Sequence, residues 1–347
     1  MSLYHRIRDL PLLVERYELE PLVLETPTWS RKTTVGHLEG GGHTGLGEDV
    51  TYGVTEQDAQ IARGAVLPLA GEWTLHTFSE HLGRLDLFTA EPEQHAYRGY
   101  RRWAFESAAL DLALRQAGRS LAETIGREPR PVTFVVSGGL GEPPTTDRVR
   151  QWLALYPSLR FKLDAKPTWD DRLLAELASL GCVDSIDLKG QYVGTTVDTP
   201  ADPLFYRRVI EALPDAWIED PGLTPETLAV LEPVQDRVTW DAPIHGVADI
   251  ESRPWPPRTV NVKPSRFGSL ERLFATYAYC EEKRIGAYGG GQWELGVGRG
   301  HIQLLAALFH PDTPNDVAPG AYNGDPAPGL PESPLRVRGT ESGFRAA

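Results

Sequence analysis

The chain has 347 residues, 41% hydrophobic and 24% charged, which is enough to bury a large core and excludes disorder as its main state. The length suggests about two domains. A net charge of −13 with no Lys/Arg-rich tract argues against nucleic acid or an anionic membrane as the main partner, and leaves room for a small anionic ligand at a locally positive or metal-holding site.

The N-terminal residues 1–14 are charged throughout and lack an apolar core followed by a small-residue cleavage site. No run of about 18 apolar residues is present, so a cytoplasmic location is expected. The two cysteines, Cys182 and Cys280, have no metal-ligand spacing and read as buried apolar thiols.

Residues 1–52 read as strand-rich, with short apolar runs broken by glycine and proline and a turn at Glu39-Gly40-Gly41-Gly42-His43. The glycine cluster lacks the Lys-Ser/Thr of a phosphate loop, and no clear helix opens directly after it. Residues 74–126 read as helical, with Gly118 and Gly126 as helix stops. Strands followed by helices indicate a small α+β domain.

From Arg130 the rhythm changes, with strand-like and helical runs alternating roughly every 25 residues. The strands predicted are 131–136, 160–164, 185–188, 216–219, 238–241, 259–263 and 284–288. Seven such steps favour a (β/α) barrel over an open doubly wound sheet. No strand leads into a clean G-x-G-x-x-G, which leaves dinucleotide binding weak. The tail from Pro311, rich in Pro, Gly and Asp, is expected to wrap the outside.

Four of these strands end on groups that bind metals or move protons: Asp187 and Lys189, Glu219, Asp241, and Lys263. At the C-terminal mouth of a barrel they converge. Three carboxylates without Cys or His suit a hard cation, Mg²⁺ first and Mn²⁺ second, and we expect no organic cofactor. Any one acid could simply cap the next helix, as Asp220 before Pro221 is expected to do; three in succession with Lys263 next point to a site. A cation there can hold a substrate carboxylate and stabilise the enolate left when the α-proton departs, with a lysine moving that proton.

At this point the motifs resemble the enolase superfamily, in its muconate-lactonizing branch, and most closely the o-succinylbenzoate synthase and N-acylamino acid racemase group. The likeness covers nearly the whole chain. Ala104-Phe-Glu-Ser-Ala-Ala-Leu-Asp-Leu112 resembles the last helix of that family's cap. Lys162-Leu-Asp-Ala-Lys-Pro-Thr-Trp-Asp170 is similar to K-L-K-I-K-P-G-W-D on the second strand. Asn261-Val-Lys-Pro-Ser-Arg-Phe-Gly268 is similar to N-I-K-P-G-R-V-G on the sixth. Gly290-Gly-Gln-Trp-Glu-Leu-Gly-Val-Gly-Arg-Gly-His301 is similar to G-G-M-L-E-S-G-I-G-R-A-H.

The resemblance implies an α/β architecture: an α+β capping domain (residues 1–128), a modified TIM barrel of the (β/α)7β type (129–325), and a C-terminal segment (326–347) packing back on the cap or surface. It implies Asp187, Glu219 and Asp241 as metal ligands and Lys263 and Lys162 as catalytic lysines. Glu294, Arg266 and His245 would face the substrate, and His301 is read as structural. Cap loops at residues 24–31 and 48–55 would close over a small carboxylate substrate. A homo-oligomer is expected, with neither nucleic acid nor membrane as partner.

Two positions depart from the pattern. The family's second-strand K-x-K is here Lys162-Leu163-Asp164, so the second acid/base lysine is an aspartate. The third strand's D-A-N is here Asp187-Leu188-Lys189. Strand alternation would turn Lys189 inward beside Asp164. Three readings stay open: Lys189 replaces the lost amine, Lys189 merely begins a solvated loop, or Asp164 is itself the base. The functions implied are an o-succinylbenzoate-synthase-like lyase, a racemase or epimerase of N-acylated amino acids or dipeptides, a sugar-acid dehydratase, or a non-catalytic carboxylate binder on the same fold.

Overall fold

The computed structural model describes residues 3–26, 29–339 and 342–345. Residues 27 and 28 of the first predicted cap loop, and parts of the C-terminal segment, lie outside the described residues. The N-terminal region comprises β1 (Pro11–Val14), β2 (Arg16–Glu25), β3 (Ser30–Gly40), β4 (His43–Asp49), α1 (Val54–Arg63), β5 (Gly71–Thr74), α2 (Leu75–Leu82), α3 (Ala96–Gln116) and α4 (Leu121–Ile125). Strands β2, β3 and β4 form an antiparallel meander, and β1 pairs with β5.

Helix α3 lies across this meander, and that packing explains Gly45 and Gly47 of β4. A Cβ at Gly45 would fall 2.2 Å from Ala108 O and one at Gly47 1.9 Å from Ala104 O. The glycines let helix and sheet backbones touch. A helix, α1, does open shortly after them, which the sequence reading did not anticipate.

The second region alternates β6 (Val136–Gly138), α5 (Asp147–Leu155), β7 (Phe161–Asp164), α6 (Asp171–Leu180), β8 (Val183–Asp187), α7 (Pro203–Ala212), β9 (Trp217–Glu219), α8 (Pro225–Leu231), β10 (Val238–Thr239), α9 (Val247–Glu251), β11 (Thr259–Val262), α10 (Pro264–Phe267), α11 (Leu270–Lys283), β12 (Gly286–Gly289) and α12 (Val297–Phe309). The parallel strands β6 to β10 neighbour one another in sequence order, and β11 pairs with β12. The Asn261 amide donates to Trp240 O at 2.9 Å, joining the two sheets. On the far side, the Asp316 amide donates to Gly289 O (2.8 Å) and the Val135 amide to Asn315 O (2.9 Å). The ring therefore closes through Asn315-Asp316. This corrects the expectation that everything from Pro311 wraps the outside. The closing piece is too short, and too rich in Pro and Asp, to carry a strand signature.

Candidate active site

Strands β7, β8 and β9 run in register, with Asp164 beside Asp187 and Asp187 beside Glu219. Their last residues therefore stand at one height on the barrel mouth. Asp241 lies two residues past β10 and needs separate support. Asp220 supplies it: its carboxylate accepts the Asp241 and Ala242 amides, both at 2.8 Å, from a left-handed backbone position (φ 49°). Asp220 is thus not a helix cap, since Thr224 caps α8. Burial, with Asp241 and Asp187 nearby, pushes its carboxyl up to about 7.

Asp187, Glu219 and Asp241 are each 0% exposed, and one oxygen from each lies within 4.8 Å of the others. Four cations surround them. The Lys162 ammonium contacts the Glu219 carboxylate and lies 3.4 Å from Asp187 Oδ2 and 3.9 Å from Asp316 Oδ2. Lys189 Nζ lies 2.5 Å from Asp187 Oδ2 and 3.1 Å from Asp164 Oδ1. Lys263 Nζ lies 2.9 Å from Asp241 Oδ2, and Arg266 Nη1 2.5 Å from Asp241 Oδ1. The Tyr192 hydroxyl donates to Asp241 Oδ2 at 3.1 Å.

The electrostatics fit a divalent ion. With every group ionised, six carboxylates (Asp164, Asp187, Glu219, Asp220, Asp241, Asp316) would exceed the four cations by two charges. The imbalance falls on Glu219, whose carboxyl burial pushes up to about 8 despite Lys162. Burial also opposes ionisation of Asp187 and Asp241, but Lys189 with Lys162, and Arg266 with Lys263, outweigh it and hold both below the usual carboxylate range. A doubly charged cation would offset the surplus, and the all-oxygen donor set suits Mg²⁺.

Lys189 reaches this cluster, but not by strand alternation. Strand β8 stops at Asp187, and Lys189 has a left-handed backbone (φ 53°). Its amide donates to Asp187 Oδ1 at 3.0 Å, and the turn brings the ammonium back over the same Asp187 carboxylate, 5.1 Å from the Tyr192 ring centre. Arg266 sits on Asp241. Glu294 accepts the Gln292 amide (2.6 Å) and pairs with Arg299 (3.2 Å). The His245 ring lies against Pro243 O at 3.2 Å, and burial with Arg266 nearby lowers its imidazole pKa. His301 is buried, stacks on Phe344 at 4.2 Å between centroids, and burial pushes its imidazole down to about 4. That segment of the C-terminal tail docks between α12 and α3, with the Phe344 amide donating to Asp111.

Sequence reasoning missed Tyr192, Arg31, Glu48 and Tyr288. Each stood near a signal: Tyr192 three residues past Lys189, Arg31 and Glu48 in the cap loops expected to close over the substrate, and Tyr288 at the end of a predicted strand. Arg31 and Glu48 are buried clasps from the cap onto the glycine-rich loop before α12. The Arg31 guanidinium donates to Gln292 O (2.7 Å) and Trp293 O (3.2 Å), and to Val50 O and Thr51 O of the cap loop. Glu48 accepts the amides of Leu295 (2.7 Å), Gly296 (3.0 Å) and Gly298 (2.8 Å), serving as a remote cap for α12. Trp29 and Trp293 meet edge to face at 5.3 Å across the same junction. Glu48→Ala leaves three amides without acceptors and is expected to cost about 3 kcal/mol, read as a lowered midpoint in urea unfolding.

Comparison with known proteins agrees with this geometry. The chain superposes on the crystal structure of a dipeptide epimerase from Methylococcus capsulatus complexed with a Mg ion, with TM-score 0.66, 20% identity, and coverage of 88% of this chain and 89% of that one. The fold is that of the enolase superfamily, as the sequence resemblance implied. Within that fold, residues 5–124 and 128–324 match the family models described as the N-terminal and C-terminal domains of a domain of unknown function (DUF8230), and the chain belongs to that family. Among curated relatives, it is 25% identical over 230 residues to an o-succinylbenzoate synthase from Geobacillus kaustophilus, covering 63% of this chain and 59% of that protein. It is 27% identical over 311 residues to an N-succinylamino acid racemase from Thermus thermophilus, covering 81% and 76%. Among the described residues no helix is long and apolar enough to cross a membrane.

Proposed function

We propose that this protein is a divalent-metal-dependent lyase that removes the proton α to a substrate carboxylate, in the manner of an o-succinylbenzoate synthase. The observation that carries the reading is the buried Asp187–Glu219–Asp241 cluster flanked by Lys189 and Lys263. Those three carboxylates would hold the ion, and when bound it would fix the substrate carboxylate and offset the charge of the enolate. Lys263 would move the α-proton. Lys162 would stay charged among the carboxylates and oppose the effect of burial on Glu219. Lys189, paired with Asp164, would supply the amine absent from the second strand. Arg266, Glu294 and His245 are candidates for substrate contact.

Elimination needs one proton-moving group and a cation beside the enolate, so it tolerates Asp164 better than two-base racemisation does. The second reading, racemisation of an N-acylated amino acid, is supported by two separate lysines on Asp187 and Asp241. The test is incorporation of deuterium at Cα from D₂O across a panel of N-acylamino acids and dehydratable hydroxy acids. Mg²⁺-dependent loss of water, with any deuterium at Cα confined to recovered substrate because the product has lost that hydrogen, supports the lyase, and exchange with inversion supports the racemase. Metal-dependent binding without exchange or product would make the protein a carboxylate binder.

Metal binding has its own measurement. Mg²⁺ at a hundredfold excess over its Kd is expected to stabilise the fold by about 2.7 kcal/mol over the EDTA-treated protein, raising the melting midpoint.

A further inference from the structure

Each candidate ligand carboxylate is fixed differently. Asp187 accepts a backbone amide, that of Lys189, and is two residues from it. Asp241 is short and is set by its backbone amide, which donates to the Asp220 carboxylate. Glu219 has an extra side-chain torsion and, among the described residues, accepts no backbone amide. Its carboxylate meets two side-chain donors, the Lys162 ammonium and the Tyr288 hydroxyl.

Tyr288 points into the barrel from β12, 3% exposed. Its hydroxyl donates to Glu219 Oε2 at 2.7 Å, and Thr239 Oγ1 on β10 lies 3.2 Å from that hydroxyl. The same Thr239 hydroxyl lies 2.9 Å from Thr259 O on β11, so its one proton is shared between that carbonyl and the phenol oxygen. The contacts from β10 and β12 thus end on Oε2, while Oε1 meets the Lys162 ammonium.

We infer that Tyr288 is a positioning residue for the metal site: its hydroxyl anchors Glu219 Oε2 and so fixes the orientation of the carboxylate that would hold the ion. This rests on the proposed metal site. The chemistry favours a phenol here. An ammonium would compete with the ion for the carboxylate, whereas a neutral hydroxyl fixes one oxygen without adding positive charge. Donors that orient a ligand typically change metal affinity by about 10–100-fold when removed.

The experiment is titration of Tyr288→Phe with Mn²⁺, followed by the paramagnetic resonance of the free ion, and with Mg²⁺ by calorimetry. Both affinities are expected to fall about 10-fold or more. The metal-free melting midpoint is read alongside, so that a loss of metal affinity is separated from the cost of leaving Glu219 Oε2 without its donor. Thr239→Val, which leaves the phenol unbraced, is expected to weaken Mn²⁺ binding by a smaller factor and gives a second measurement should the tyrosine variant fold poorly. If both variants bind Mn²⁺ within twofold of the wild type, the role assigned to Tyr288 is wrong while the metal site stands. If the wild type itself takes up no Mn²⁺, the metal site falls and this inference with it.

Discussion

Lys263→Ala is expected to reduce Mg²⁺-dependent α-proton exchange by about 10³–10⁴-fold, the upper part of the range for removing a general acid–base group. The structure gives this lysine little freedom. It follows β11, and its ammonium is 2.9 Å from Asp241 Oδ2. Gly290 backs its stem: a Cβ there would lie 2.6 Å from Lys263 Cε and 2.9 Å from Asn261 Oδ1. Only glycine lets the loop after β12 approach so closely, so the amine is held between that loop and the carboxylates. Lys263→Arg should not rescue activity, because a planar guanidinium needs room that Gly290 does not leave. Cation affinity measured by calorimetry should be retained in the alanine variant, since the change removes a competitor for Asp241 and no ligand oxygen. Loss of exchange together with loss of metal binding would instead make Lys263 part of the electrostatic frame, and exchange at the wild-type rate would remove it from the chemistry.

The same residue illustrates what the sequence could carry. Alternating strand and helix runs placed seven strands, and because parallel neighbours end at one height, the residues closing those runs were necessarily near one another. That is why Asp187, Glu219 and Lys263 were legible as a group. Asp241 was legible as a strand end, although β10 stops at Thr239 and Asp220 does the holding. What was hidden depends on contacts between distant segments. Arg31 and Glu48 meet a loop some two hundred and fifty residues later through backbone atoms, which no side-chain pattern encodes. The closing strand position at Asn315-Asp316 has no periodicity to detect. Lys189 was placed on the right side for an insufficient reason: alternation ends at Asp187, and a left-handed turn brings the amine back.

That turn underlies the second large effect. Lys189→Met is expected to lower α-proton exchange by about 10²-fold or more if Lys189 supplies the amine missing from the second strand. Asp164→Asn should cost less, because Lys189 keeps its contact with Asp187 at 2.5 Å when the partner at 3.1 Å is neutralised. The informative variant moves the amine back. Asp164 and Asp187 are register partners on β7 and β8, so a lysine at 164 starts beside the carboxylate that Lys189 now contacts. Asp164→Lys in the Lys189→Met background should therefore recover a measurable part of the lost exchange, whereas Asp164→Lys alone would crowd two ammonium groups and weaken cation binding. Exchange unchanged in Lys189→Met would return this residue to a purely structural place beside Asp187. A collapse in Asp164→Asn with Lys189→Met active would shift the proton-moving role to the aspartate.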